Sequence, residues 1–322
     1  MAGVSLDPAR AAESVKVLDT IGGTRLLPLA RMIPAGSARI LLKLEYENPT
    51  GSMKDRMALA MVEAAEKDGR LRPGGSVVEY TGGSTGVSVA FVCAAKGIPL
   101  QIVTSDAFSR EKRDHMAALG ARLTIVRSVA GGMTKALTLE MVETAKRLAA
   151  EAPGSYWTDQ LNNTDQLAAY ERMADEILEQ AGSVDAFVQS VGTGGSLRGI
   201  ATRLRARGGS VRVVAVEPAE SAVLSGRPSG SHRIEGVGAG FVVPLWQPGL
   251  ADEIETISTE EAMAMTRRLA REEAIFAGTS TGGNVAVALR IAGRLGPGRT
   301  VVTIAPDSGM KYLSTPLYAQ PA

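Results

Sequence analysis

The chain has 322 residues, 45% hydrophobic and 21% charged, and its 35 basic and 34 acidic side chains leave a net charge of +1. That length exceeds the usual single core and predicts two domains, and the charge balance gives no electrostatic case for nucleic acid or a membrane surface. One cysteine, Cys93, and two histidines, His115 and His232, exclude a disulfide framework, a multi-cysteine metal site and a multi-histidine zinc site.

No segment approaches the roughly 20 apolar residues of a membrane span, and Met1 to Glu13 has no apolar signal core, so a cytoplasmic protein is expected. From about residue 40 to residue 305, apolar β-rich runs alternate with helix-period segments. Asp55 to Asp68 reads as a helix ended by Gly69, and Ser76 to Tyr80 as a strand. Thr85 to Lys96 is the next helix, closed by Gly97, and Leu100 to Thr104 the next strand. Ser109 can cap a helix running to Gly120, Arg122 to Val126 follows as a strand, and Leu137, Met141, Ala145 and Leu148 recur at helical spacing. Pro153 and Gly154 then mark a domain boundary, giving domains over 1–155 and 156–322, with part of 1–40 crossing to the second.

The second half repeats the pattern. Asp185 to Val191 is a strand, Ser196 to Arg207 a helix and Val211 to Glu217 a strand. Residues 226–250 are rich in Gly and Pro and read as irregular. Ser258 and Glu261 have capping-box spacing before another helix, and Val301 to Ala305 is a last buried strand. Short continuous apolar strands favour parallel sheets covered on both faces.

Three Gly/Ser/Thr loops, each followed by a helix, stand out: Thr81 to Gly86, Gly192 to Ser196 and Gly278 to Gly282. Glycines let the backbone approach a ligand, and the free N–H groups of a helix start favour an anion. The strand, loop and helix at 185–207 form the best phosphate cradle in the chain. Neither a P-loop nor a G-x-G-x-x-G spacing is present, so an NTPase and an ordinary NAD enzyme are not supported. With histidine and cysteine scarce, a lysine can carry the chemistry as a Schiff base with a phosphate-bearing aldehyde cofactor. Lys54 is the candidate, in Asn48-Pro49-Thr50-Gly51-Ser52-Met53-Lys54-Asp55-Arg56.

This segment resembles the Asn-Pro-x-x-Ser-x-Lys-Asp-Arg signature of the cysteine synthase / cystathionine β-synthase family. Further resemblances follow in order: Ile21-Gly22-Gly23-Thr24, the 81–86 loop, Gly192 to Ser196, Glu235 to Phe241, Gly278 to Gly282, and Pro306 to Gly309 with Tyr312 to Thr315. Together they span roughly residues 18 to 316. The resemblance implies a fold of the tryptophan-synthase-β type (fold type II): two α/β domains with twisted, parallel-rich sheets flanked by helices, and pyridoxal 5'-phosphate in the cleft between them. It implies that Lys54 binds the cofactor covalently and then acts as base on the substrate's α proton. Gly192, Thr193, Gly194, Gly195 and Ser196 would bind the phosphate, Ser280 the pyridine nitrogen, and Ser84 would stand beside the ring hydroxyl. Thr81, Gly82, Gly83, Thr85 and Gln160 would hold the substrate carboxylate. Gln160 also reads as a capping residue before the helix from Asp165. His115 and His232 are expected at the surface, and Cys93 in the core.

Past Gln160 the family's segments are absent at 162–165 and 172–177, and the 81–86 loop departs from the pattern at two positions. Gly82 replaces a serine and Ser84 an asparagine, which is expected to widen one wall of the substrate pocket. The implied activity is β-elimination or β-replacement on an O- or S-substituted L-serine-type amino acid, with a small nucleophile as co-substrate. A serine/threonine dehydratase and a non-catalytic relative serving as a binding or regulatory partner are the alternatives. A homodimer is expected from family habit alone.

Overall fold

The computed structural model describes residues 16–128 and 135–318. Ten strands form two sheets. The larger contains β1 (Leu26–Pro28), β2 (Arg39–Lys43), β7 (Ala186–Ser190), β8 (Arg212–Pro218), β9 (Glu253–Ile257) and β10 (Thr300–Ile304), in the order β1-β2-β10-β7-β8-β9. The smaller contains β3 (Val77–Tyr80), β4 (Leu100–Ser105), β5 (Arg122–Val126) and β6 (Tyr156–Trp157), in the order β5-β4-β3-β6. Every neighbouring pair is parallel except β1 with β2. The helices are α1 (Lys54–Asp68), α2 (Ser84–Lys96), α3 (Arg110–Ala118), α4 (Lys135–Glu151), α5 (Gln166–Ala181), α6 (Gly195–Gly208), α7 (Thr259–Glu272) and α8 (Thr279–Leu295).

Alternate side chains of each central strand enter different cores, because successive residues of a strand point to opposite faces. Ile40, Leu42 and Val301 join Val285 and Ile291 of α8 on one face of the larger sheet. Leu41 and Val302 join Met57 of α1, Tyr170 of α5 and Leu197 of α6 on the other. In the smaller sheet Val77 packs with α1 and α2, whereas Val78 packs with Leu137, Met141 and Ala145 of α4. All five residues of β10 are buried, as expected of a central parallel strand.

The expected strands and helices at 55–126 and 185–217 are present with ends shifted by at most two residues. Residues 226–250 contain no helix or strand. Strands β1, β6 and β9 escape sequence patterning for physical reasons. β6 has two residues and β1 three, ending on Pro28, and β9 is an edge strand whose partly exposed positions give no apolar run.

Strands β3, β4 and β6 are parallel, so the loops after them, at 81–83, 106–109 and 158–163, leave the same edge of the smaller sheet. That carboxyl edge is where α/β sheets present ligand-binding loops.

Candidate active site

Lys54 is the first residue of α1, and its neighbours in the motif fix where that helix begins. Thr50 donates from its backbone N–H (2.8 Å) and its hydroxyl (2.6 Å) to the two carboxylate oxygens of Asp55. Asn48 donates through Nδ2 to Glu45 and accepts the Gly22 N–H through Oδ1. Arg56 donates to Glu45 (2.7 Å) and to Glu176 (2.7 Å), which also pairs with Lys43 at 2.7 Å. The motif therefore anchors the helix and leaves Lys54 outside this network. Burial lowers its ammonium to about 8, and the carboxylate of Asp307 opposes that shift.

The loop from 192 to 196 leaves the carboxyl end of β7 and opens α6. Among the described residues none of its five backbone N–H groups has a hydrogen-bond partner, and no side chain caps the helix. Three of its glycines stand where a side chain has no room. A Cβ would come within 2.5 Å of the Gly236 carbonyl at 192, 3.1 Å of the Trp246 nitrogen at 194 and 2.3 Å of Gln166 Oε1 at 195. Gly194 also has φ +86°, which a side chain would strain. Ser196 accepts from Gln189 Nε2 at 2.5 Å, which leaves its proton to donate elsewhere. Unpartnered N–H groups at a helix start, on a backbone pared to glycine, suit a phosphate dianion.

The loop after β3 has the same design on a smaller scale. Gly83 donates to the Thr81 hydroxyl at 3.1 Å, while the N–H groups of Gly82, Ser84 and Thr85 have no partner among the described residues. Thr85 donates to Gln160 Oε1 at 2.8 Å, and Gln160 Nε2 donates to the Tyr80 carbonyl at 3.2 Å. Gln160 is thus tied to the 81–86 loop and is not a helix cap. It follows Asp159, held at φ 43°. Beneath lies the fully buried Glu79, which accepts the N–H groups of Tyr80 (2.8 Å) and Gln160 (3.3 Å) and bonds the Thr158 hydroxyl. Burial pushes its carboxyl up to about 8.

Position 82 corrects the expectation of a widened pocket. A Cβ there would fall within 1.8 Å of the Phe108 ring. The space left by the missing side chain is filled from the loop after β4.

Ser280 lies in the first turn of α8, buried, and its hydroxyl has no hydrogen bond among the described residues. Next to it stands Asp307, whose Oδ2 accepts from Tyr312 (2.7 Å) and Ser84 (3.3 Å) and whose buried Oδ1 is unpartnered. Ser84 also accepts from Lys311 Nζ at 3.2 Å, and Lys112 sits 4.9 Å from the Tyr312 ring centre while pairing with Glu235. Ser52 and Asp307 form an antiparallel bridge, and Glu235 N–H donates to the Thr279 hydroxyl at 3.1 Å. These contacts gather Lys54, the 81–86 loop and the α8 start around one place. The 192–196 loop joins through Gln166, which donates to the Gln160 carbonyl at 2.8 Å and accepts from Thr193 at 3.5 Å.

Gln166, Asp307, Lys311, Glu79 and Phe108 are the members that sequence patterning misses. Only Asp307 carried a signal, its place in the Pro306 to Gly309 motif. His232 is half-buried, bonded through Nε2 to the Gly238 carbonyl at 3.0 Å, and so is not a surface residue. His115 is exposed, and Cys93 is buried with its thiol pushed up to about 12.

A buried lysine of lowered proton affinity and two helix starts with unpartnered N–H groups suit an enzyme that binds anionic ligands. The chain belongs to the pyridoxal-phosphate dependent enzyme family, whose model matches residues 17–307. Among curated relatives it is similar to cysteine synthase of Staphylococcus aureus, with 39% identity over 309 residues covering 94% of this chain and 96% of the relative. Among solved structures it is similar to cysteine synthase from Entamoeba histolytica, with TM-score 0.89, 35% identity and coverage of 100% and 95% of the two chains. It is also similar to O-ureido-L-serine synthase (TM-score 0.86, 38% identity, 94% of each chain). The O-acetylserine dependent cystathionine beta-synthase from Helicobacter pylori is another such structure (TM-score 0.88, 33% identity, 95% and 99%). The protein is a pyridoxal-phosphate-dependent enzyme with the α/β fold of that group.

Proposed function

We propose that the enzyme carries out β-replacement on an O-acylated L-serine, exchanging the acyloxy group for a small nucleophile such as sulfide or a thiol. One observation carries it: two helix starts, at 82–85 and 192–196, both present unpartnered N–H groups, and the buried Lys54 feels the carboxylate of Asp307, which accepts from Ser84 of the first of them. The bound cofactor supplies an electron sink for the α carbon. In this reading Gly192 to Ser196 hold its phosphate, Ser280 meets the pyridine nitrogen, and Ser84 stands at the ring edge. A neutral hydroxyl at 280 cannot keep that nitrogen protonated as a carboxylate would, which disfavours transamination and suits loss of a β-substituent. The N–H groups of Gly82, Ser84 and Thr85, with the Thr81 hydroxyl and Gln160, orient the substrate carboxylate. Lys54 Nζ takes the α proton, and its lowered proton affinity leaves a useful fraction neutral near pH 8. The half of the molecule built on the smaller sheet thus supplies the substrate side, and the half built on the larger sheet the phosphate side.

The family likeness also supports a homodimer, which sedimentation of the purified holoenzyme tests. Incubating holoenzyme with O-acetyl-L-serine, with and without sulfide, tests the reaction. L-Cysteine forming only with sulfide is the expected outcome. A 2-oxo acid, with acetate and ammonia, as the product in both tubes would mean β-elimination of the dehydratase type instead.

A further inference from the structure

Gln166 is the first residue of α5, yet its side chain is fully buried, which is uncommon for glutamine. Its two ends face different halves of the molecule. Nε2 donates to the Gln160 carbonyl at 2.8 Å and to the Asn163 carbonyl at 2.7 Å, both in the turn that follows β6 of the smaller sheet. Two carbonyls at one end of the amide fix that end as the nitrogen and the other as the oxygen. Oε1 faces the loop that follows β7 of the larger sheet, where it accepts from the Thr193 hydroxyl at 3.5 Å. The approach to that loop is close: a Cβ at position 195 would come within 2.3 Å of Oε1, 2.6 Å of Cδ and 3.1 Å of Cγ. One turn further along α6, a Cβ at Gly199 would meet the Leu167 carbonyl and the Tyr170 Cβ, each at 2.8 Å. Gly195 and Gly199 thus share one face of α6, and the first turns of α5 seat on it. On the other side, the Gln160 side chain accepts from the Thr85 hydroxyl at 2.8 Å and donates to the Tyr80 carbonyl at 3.2 Å. The contacts run without a break from the start of α2, through Gln160 and Gln166, to the start of α6.

We infer that Gln166 is a positioning residue that joins the two cradles, holding Gln160 on the substrate side and the 192–196 loop on the phosphate side in one fixed relation. The inference rests on the β-replacement reading above, in which those two places hold the substrate carboxylate and the cofactor phosphate. Gln166 acts through Gln160 and Gly195, not on a ligand. Substrate and cofactor must meet, and one is gripped from each half of the molecule, so both are held only as well as the halves are kept in register. A neutral amide suits the place, since it donates to two carbonyls, accepts a hydroxyl and brings no charge beside a phosphate. A glutamate would turn oxygen toward both carbonyls, and a methionine would leave them unpaired.

Gln166→Met keeps the volume and removes the hydrogen bonds. In cofactor-free protein it should lower affinity for pyridoxal 5'-phosphate about tenfold and leave that for pyridoxal, which lacks the phosphate, within about twofold. A general loosening of the fold would weaken both alike. In holoenzyme at saturating cofactor, KM for O-acetyl-L-serine should rise about tenfold with kcat kept within about threefold, as when a grip shared by ground and transition state is lost. A second measurement reads the contact without ligands. Gly195→Ala should lower the melting temperature of cofactor-free protein by several degrees, and Gly195→Ala made together with Gln166→Ala should melt no lower than Gln166→Ala alone. An unchanged ratio of the two affinities, an unchanged KM, or additive losses in the double variant overturns the assignment, because each means that one end of the amide holds nothing. Wild-type holoenzyme that turns over no O-acetyl-L-serine overturns the reaction reading, and the affinity ratio and the double variant then decide this inference without it.

Discussion

Two clusters of buried charge sit either side of the start of α1, and they are built differently. On one side Glu45, Arg56, Glu176 and Lys43 satisfy each other, with Thr24 and Asn48 filling remaining positions. On the other, Lys54, Asp307 and Lys311 are only partly satisfied. Among the described residues, Asp307 keeps one oxygen without a partner, and the Lys311 ammonium has a single hydrogen bond, to Ser84. Burial raises the Asp307 carboxyl above its ordinary range and lowers both lysines. A saturated network holds backbone in place, and an unsaturated one has capacity left for a ligand. Two residues of one helical turn, Lys54 and Arg56, thus serve opposite ends.

The sharpest way to separate the clusters is to remove one member of each. Lys54→Ala should abolish covalent attachment of the cofactor and lower turnover about a thousandfold or more, while the melting temperature of the cofactor-free protein stays close to wild type. Borohydride reduction and peptide mapping of the wild type should label Lys54, and a label on any other lysine sinks the assignment. Gly194→Asp comes next. It places a carboxylate against the phosphate cradle at a left-handed backbone position, so cofactor affinity should fall about a hundredfold or more with helix content kept. Equilibrium titration with cofactor reads it.

Arg56→Met attacks the saturated cluster. It strands Glu45, fully buried, and should cost about 3–5 kcal/mol, seen as a melting temperature lower by roughly 10 °C. Cofactor attachment in the folded fraction should persist; its loss would mean that the two clusters are not independent.

The smallest effect belongs to Glu79. Its carboxyl is raised from 4.5 to about 8, so the folded chain binds the proton more tightly than the unfolded one. Stability from this group is full below about pH 4.5 and is lost as pH rises through 8. Glu79→Gln should remove that decline, worth roughly 1–3 kcal/mol once relaxation discounts the ~1.4 kcal/mol per unit. Denaturant melts at pH 5 and pH 9 measure it. Equal pH slopes in wild type and variant would show that Glu79 is ionised throughout.

The roles proposed for Lys54 and the 192–196 loop could be read from the sequence because each depends on a few consecutive residues: a strand end, glycines, a helix start. The contact between position 82 and the Phe108 ring was not legible. Its two halves, Gly82 and Phe108, are brought together only by the pairing of β3 with β4. A glycine alone signals space, whereas here it signals a neighbour. Gln166 escaped for a similar reason, since its amide bridges two loops from inside a helix whose pattern reads as ordinary packing. The strand at 26–28 is too short to show a pattern, and the one at 253–257 lacks the apolar run that patterning needs. The Asp307 motif could equally have been a simple turn until its oxygens were seen among Ser84, Tyr312 and Gly278.

The position of β2 between β1 and β10 has a consequence for how the chain is made. Arg39 pairs in register with Thr300, so the larger sheet joins the two ends of the chain. All strands of the smaller sheet come from 77–157 and are available early in synthesis, whereas the larger sheet waits for residue 304. Until then β2 and β7 present open apolar edges, the state in which nascent chains aggregate or recruit chaperones. Lys54 leaves the ribosome long before Asp307, Ser280 and the start of α8. Cofactor capture is therefore expected to follow translation, and a chain that loses its last strand should be unable to hold it.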